Sequence, residues 1–215
     1  MDYTILTNQF GPHPKLLQQT LRHANSAFNK PITPRNLFAW DRIHARIKKK
    51  PMPVILDSGC GKGLSSRILA RKYPEHWIIA MDQSAVRLHF LRRQNLEHNI
   101  LILQGNCIDF WRLIALSKLP IAKHYILYPN PWPKRQHLTR RWHAHPVARD
   151  MFLLASKTII RSNWRVYVEE AKSVAQWLGH TTQLRTCQKH DAPLTHFEKK
   201  YQDQSMTCYT LSILP

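Results

Sequence analysis

Negative charge is scarce in this chain. Thirteen Asp and Glu stand against 32 Lys and Arg, a net charge of +19, and 13 histidines add to it below neutral pH. That excess favours a polyanionic partner, with nucleic acid ahead of a membrane surface. Cysteine pairs are missing too. Cys60, Cys107, Cys187 and Cys208 form no CxxC and no Cys/His metal spacing. A disulfide framework and a zinc site are therefore not expected, and a reducing compartment is. The histidines show no ligand pattern: His143 and His145, two apart, would not share a helix face. No metal is expected. Long apolar runs are absent, as is the apolar core of a signal peptide. There is no internal repeat. A soluble, cytoplasmic protein is expected, without membrane contact, its 215 residues sufficient for a sizeable core.

What is present begins with a polar, basic stretch, residues 1–50, with prolines at 12, 14, 31 and 34. It is expected as a helical N-terminal extension. Leu17, Leu21, Ala24 and Phe28 would share one face of a first helix, and Leu37, Trp40, Ile43 and Ile47 one face of a second. From Val54 short apolar runs alternate with helical patterns. Strands are expected at 54–56, 77–81, 100–103, 125–128 and 165–168, with two final strands at 183–188 and 207–213. Helices are expected at 65–73, 85–95, 108–116, 147–160 and 173–179. That order predicts an α/β, Rossmann-like seven-stranded, mostly parallel sheet with helices on both faces, over 51–215. Ligands of such sheets bind beyond the carboxyl ends of the strands. Asp57, Asp82 and Asn130 should line that edge.

The first strand runs into Asp57-Ser-Gly-Cys-Gly-Lys-Gly63. Glycines at 59, 61 and 63 permit positive φ and close approach of backbone to a ligand. The third glycine comes too soon for a dinucleotide fingerprint, and no Gly-Lys-Ser/Thr follows to make a phosphate loop. Asp82 closes the second strand some twenty residues later, where an acid can hold ribose hydroxyls. An acid, GxGxG and a second acid resemble the S-adenosylmethionine site of class I methyltransferases.

The segment Tyr128-Pro-Asn-Pro-Trp-Pro-Lys-Arg-Gln136, continuing through His137 to Trp142, is the most distinctive in the chain. Its prolines stiffen a polar tip, and basic residues follow at once. It resembles the bacterial tRNA (guanine-N7-)-methyltransferases, whose mark is Pro-Asp-Pro-Trp-x-Lys followed by His and paired basic residues. Thr195-His-Phe-Glu198 resembles a second mark of that family. The resemblance spans residues 54–215. It implies S-adenosylmethionine as cofactor and tRNA as partner, in a monomer or homodimer. It implies cofactor contacts at Asp57, Gly59, Gly61, Gly63, Asp82 and Asn106. Substrate contacts are implied at Lys134, Glu170, Thr195 and Glu198, and the catalytic position is Asn130. His137, Arg140 and Arg141 follow the motif as candidate phosphate contacts, and Lys189-His190 and Lys199-Lys200 would extend that surface. Trp142 reads as core.

Two positions depart from the family. Asn106 and Asn130 stand where it has Asp. Guanine N7 carries a lone pair and no proton, so the reaction needs positioning rather than a general base. An amide oxygen at Asn130 still accepts a hydrogen bond but brings no charge to a cation that forms. Slower chemistry is expected. Two other readings stay open. One is methylation of an exocyclic amine through Asn130-Pro131-Trp132. The other is a methyltransferase-like RNA-binding protein that has lost activity.

Overall fold

A computed structural model describes residues 5–187 and 192–215. Gln188, Lys189 and His190 of the expected last strands and basic surface lie outside them. Its seven strands are β1 (Val54–Ser58), β2 (Trp77–Asp82), β3 (Ile100–Gln104), β4 (Ile121–Leu127), β5 (Thr158–Ser162), β6 (Thr181–Thr186) and β7 (Tyr209–Leu214). They stand in the order β3-β2-β1-β4-β5-β7-β6. β1 pairs in parallel with β2 and β4, and β2 with β3. β7 runs antiparallel to both β5 and β6. The expected mostly parallel seven-stranded sheet is what the structure shows. β1 and β2 are buried along their whole length, the apolar runs 54–56 and 77–81 as in a covered parallel sheet and the acids at their ends as well.

The chain divides into two compact units. One comprises 30–127 with 154–156; the other comprises 1–29, 128–153 and 157–215. The first holds β1 to β4 with α2 (Pro34–Lys49), α3 (Leu64–Lys72), α4 (Ala85–Arg92) and α5 (Cys107–Ser117). Three of its helices start on side-chain caps: Thr33 accepts from Asn36 N with Pro34 at the first position, Ser84 accepts from Arg87 N, and Asn106 accepts from Ile108 N. The second holds β5 to β7 with α1 (Leu16–Ala24), α6 (Ala148–Leu153), α7 (Arg165–Trp177) and α8 (His196–Asp203). No helix among the described residues is long and apolar enough to cross a membrane.

Four expectations fail. Residues 158–162 are strand β5, although the apolar run from 147 reads as helix; the helix stops at Leu153 and Ala155 bridges Ile121. Val166-Tyr-Val168 favours a strand by local propensity but belongs to helix α7. There Tyr167, Ala171, Val174 and Ala175 make one buried helical face, and packing overrides propensity. Helix α1 is turned about one residue from the expected face. Leu16 and Thr20 are buried, while Leu17 and Leu21 are 44% and 50% exposed. Thr20 tolerates burial because its hydroxyl donates to the Leu16 carbonyl at 2.9 Å. In α2, likewise, Asn36 joins Trp40 and Ile47 in the interior while Leu37 faces out.

Candidate active site

In the first unit the glycine loop is built as its composition requires. Gly59, Gly61 and Gly63 all have positive φ, at 74°, 58° and 82°. The Gly59 and Cys60 amides donate to the Met81 carbonyl at 2.8 and 2.9 Å, which ties the loop to the end of β2. A Cβ on Gly63 would run into the Leu91 side chain, whereas one on Gly61 would meet nothing. The loop is therefore packed from below at Gly63 and open at Gly61.

Asp57 is buried beside the loop. Its Oδ2 accepts from Ser65 Oγ and Ser66 Oγ, both at 2.6 Å, from the first turn of α3. Burial pushes its carboxyl up to about 6, against the downward pull of the two hydroxyls, with Asp82 adding to the rise. Asp82 is also nearly buried. Its Oδ2 accepts from Gly61 N at 2.9 Å and its Oδ1 from Ser84 N at 2.8 Å. Arg87, 59% exposed, reaches it at 3.4 Å. Asn106 caps α5, its Oδ1 accepting from Ile108 N at 3.0 Å. Beside it, Gly105 leaves room for the Asn36 side chain, whose Nδ2 donates to buried Asp109 at 2.7 Å. Two carboxylates beside a glycine loop that is open at Gly61 suit a cationic ligand that carries hydroxyls. The residues present fit S-adenosylmethionine.

In the second unit the stiff loop leaves β4 through Tyr128, whose φ is +50°, and Trp132 has a φ of +47°. The Tyr128 amide donates to the Arg161 carbonyl at 2.8 Å. Asn130 is exposed, and among the described residues its Oδ1 receives one long contact, 3.4 Å, from Trp132 N. Lys134 and Arg140 are exposed; the Arg140 guanidinium lies 4.8 Å over the Trp132 ring, and the His137 ring meets the same indole edge-on at 5.5 Å. These side chains form one polar and aromatic surface.

Arg141 and Glu170 were expected at the substrate; the structure closes both inside. Arg141 Nη1 donates to Glu170 Oε2 at 2.6 Å, and neither side chain is exposed. Arg141 Nε and Nη2 also donate to the Trp132 carbonyl at 3.2 and 3.1 Å. Glu170 sits within α7, not after a strand, and accepts from His143 Nε2 at 2.9 Å on the same oxygen that holds Arg141. Burial alone would raise the Glu170 carboxyl, but His143 and Arg141 hold it down to about 2. Burial lowers the His143 pKa further than Glu170 raises it, which favours the neutral ring donating from Nε2. Glu198 is buried likewise, paired with Arg161 at 2.6 Å, while its Oε2 accepts from Leu194 N at 2.8 Å. Thr195 caps α8 by accepting from Glu198 N at 3.0 Å. Thr195 and Glu198 thus fasten the start of that helix together. Ser65, Ser66, Gln9 and Arg161 went unread in the sequence, and His143, which follows the motif as a phosphate candidate, is buried against Glu170 instead. Only the two serines left a signal, as hydroxyls at a helix start directly behind the loop.

A parallel sheet with a glycine loop after its first strand and an acid closing its second defines the class: this is a Rossmann-like methyltransferase fold. Comparison with known proteins narrows it. A family model described as "Putative methyltransferase" (Methyltransf_4) matches residues 51–211, and the chain belongs to that family. It is similar to the tRNA (guanine-N(7)-)-methyltransferase of Mycobacterium ulcerans, 33% identical over 60% of this chain and 46% of that protein. It is also similar to the protein of the same name from Zymomonas mobilis, 25% identical over 88% of this chain and 82% of that one. The chain thus spans less than half the length of the first relative. Among solved structures, a mutant 16S rRNA (adenine(1408)-N(1))-methyltransferase with cosubstrate SAM from Catenulisporales acidiphilia superposes with a TM-score of 0.57. That match has 13% identity and covers 86% of this chain and 92% of that one. At that identity the likeness is one of fold.

Proposed function

We propose that this protein transfers a methyl group from S-adenosylmethionine to N7 of a guanine in tRNA. The observation that carries the reading is the conjunction of two built features within one family match. One is a glycine loop tied to Asp82. The other is a rigid Pro-Asn-Pro-Trp-Pro-Lys loop with exposed basic side chains. Residues 51–215 are taken as the methyltransferase domain and 1–50 as its basic extension; the start of the family match at residue 51 supports that boundary.

Bound S-adenosylmethionine would supply an electrophilic sulfonium methyl. Asp57 and the close backbone approach that Gly59, Gly61 and Gly63 permit would place its methionine part, the carboxylate favouring the cation. Asp82 would accept from ribose hydroxyls, taking up the place of the long, exposed Arg87 contact. Asn106 would sit at the adenine end. Lys134, His137 and Arg140 are the side chains of the loop placed to meet phosphate. Asn130 accepts from guanine N–H groups through its amide oxygen and carries no charge, so it orients the base more than it stabilises the product cation. Arg141, Glu170, Thr195 and Glu198 serve the substrate indirectly, by fixing the backbone that carries those groups. A cytoplasmic protein acting as monomer or homodimer suits this reading.

Unmodified tRNA, labelled S-adenosylmethionine and nucleoside analysis test it. N7-methylguanine is expected from the native protein, and Asn130→Asp should form it about tenfold faster if the missing charge limits the rate. Label in an N-methylated exocyclic amine would assign the alternative reaction. Tight RNA binding with no product from either variant would leave only the binding protein.

A further inference from the structure

The loop Pro129-Asn-Pro-Trp-Pro133 has an unusual bonding problem. Prolines 129, 131 and 133 have no N–H, so three of its five residues cannot donate a backbone hydrogen bond. It has to be fixed through its carbonyls, by donors from elsewhere. Those donors come from Arg141 and from the N-terminal segment. Thr7 Oγ1 donates to the Pro133 carbonyl at 2.7 Å. Arg141 donates to the carbonyls of Trp132 and Lys134. One residue further on, the Arg135 amide donates to Asn8 Oδ1 at 3.0 Å. The Trp132 and Pro133 carbonyls are thereby held, and the Lys134 carbonyl is shared by Arg141 at 3.4 Å and the His137 amide at 2.9 Å.

Gln9 links the two sources. It is buried, and its Oε1 accepts from Arg141 Nη2 at 2.9 Å while its Nε2 donates to Glu170 Oε1 at 2.7 Å. The His13 amide donates to that same oxygen at 2.8 Å. Arg141 is therefore clamped by Glu170 on one side and Gln9 on the other, with its remaining donors aimed at the loop.

We propose that residues 7–13 are a strap that positions the Asn130–Trp132 loop for methyl transfer, with Gln9 and Thr7 as its positioning residues. The proposal rests on the reading of that loop as the catalytic one, and deepens it. A small displacement of a loop that must hold a base in line costs rate rather than affinity. The strap then acts on kcat.

Thr7→Val removes, at a half-buried position and with little change of shape, the donor to the Pro133 carbonyl and the acceptor of the Gln9 amide, and Thr7→Ser keeps both. Both are made in the full chain. With tRNA and S-adenosylmethionine, Thr7→Val should lower kcat about tenfold with KM for tRNA and cofactor affinity within about twofold, and Thr7→Ser should restore native turnover. Hydrogen exchange over residues 128–142 should be faster in Thr7→Val and native in Thr7→Ser, with or without turnover. Unchanged exchange over that loop overturns the strap, even if the native protein is inactive. A native protein that makes no N7-methylguanine, with exchange responding as expected, removes the assigned reaction and leaves the strap a structural clasp, contrary to the proposal's catalytic part. A Thr7→Val effect confined to KM for tRNA would make residue 7 an RNA contact and overturn the proposal.

Discussion

Asp57 and Glu170 are both buried acids, one in the unit of the glycine loop and one in the unit of the proline-rich loop, and their surroundings treat them in opposite ways. Asp57 has two neutral serine hydroxyls and a second acid for company, and burial raises its carboxyl to about 6. Glu170 has a guanidinium, a histidine, a glutamine and a backbone amide, and is held at about 2. Glu170 is saturated by its own protein and acts as a structural hub. Asp57 takes its hydrogen bonds from neutral hydroxyls, and a charge kept in that condition suits a cationic ligand better than it suits the fold. The same residue class thus separates a scaffold from a binding position, a distinction of neighbours rather than of sequence.

The largest effect should come from breaking the hub. Glu170→Gln leaves Arg141 buried without its counter-charge and should cost about 3–5 kcal/mol in urea unfolding. A loss below about 1 kcal/mol would mean that the pair is not what holds this region. Asp57→Asn should do the reverse. It removes a charge whose burial the two serine hydroxyls compensate only in part, so stability at pH 8 should rise by about 1–3 kcal/mol while S-adenosylmethionine affinity falls at least about tenfold. A protein both less stable and able to bind normally would reverse the contrast.

The smallest effect is in the pH profile. A raised folded pKa means that Asp57 detracts from stability fully above about pH 6, and that the loss is relieved as pH falls towards 3.8. The stability difference between Asp57→Asn and the native protein should therefore close between about pH 6 and about pH 4. Glu170 has a lowered pKa, so its contribution is present above 4.5 and disappears as pH falls towards 2. Melting temperatures of the two variants and the native protein, measured from about pH 8 to about pH 3, separate the windows.

The glycine-loop unit was the more legible of the two. Its first two strands are continuous apolar runs, two of its helices begin on hydroxyl caps, and Asp57, the glycines and Asp82 lie within one short stretch. The other unit defeated sequence reasoning at β5 and α7, where short segments of β-branched and aromatic residues take their form from packing. Its central cluster joins Gln9, Arg141, His143 and Glu170 from three separate stretches of chain. No local pattern announces such a cluster. The basic pair at Arg140 and Arg141 shows the limit well. Adjacent and chemically identical, one lies exposed over an indole and the other is wholly enclosed.

The central claim is attack by guanine N7. The most direct test compares two transcripts of the same tRNA, one ordinary and one made with 7-deazaguanosine, which lacks that nitrogen. With labelled S-adenosylmethionine, label should enter the first and not the second. Equal labelling of both would contradict the account, because the methyl group would then be going somewhere other than N7.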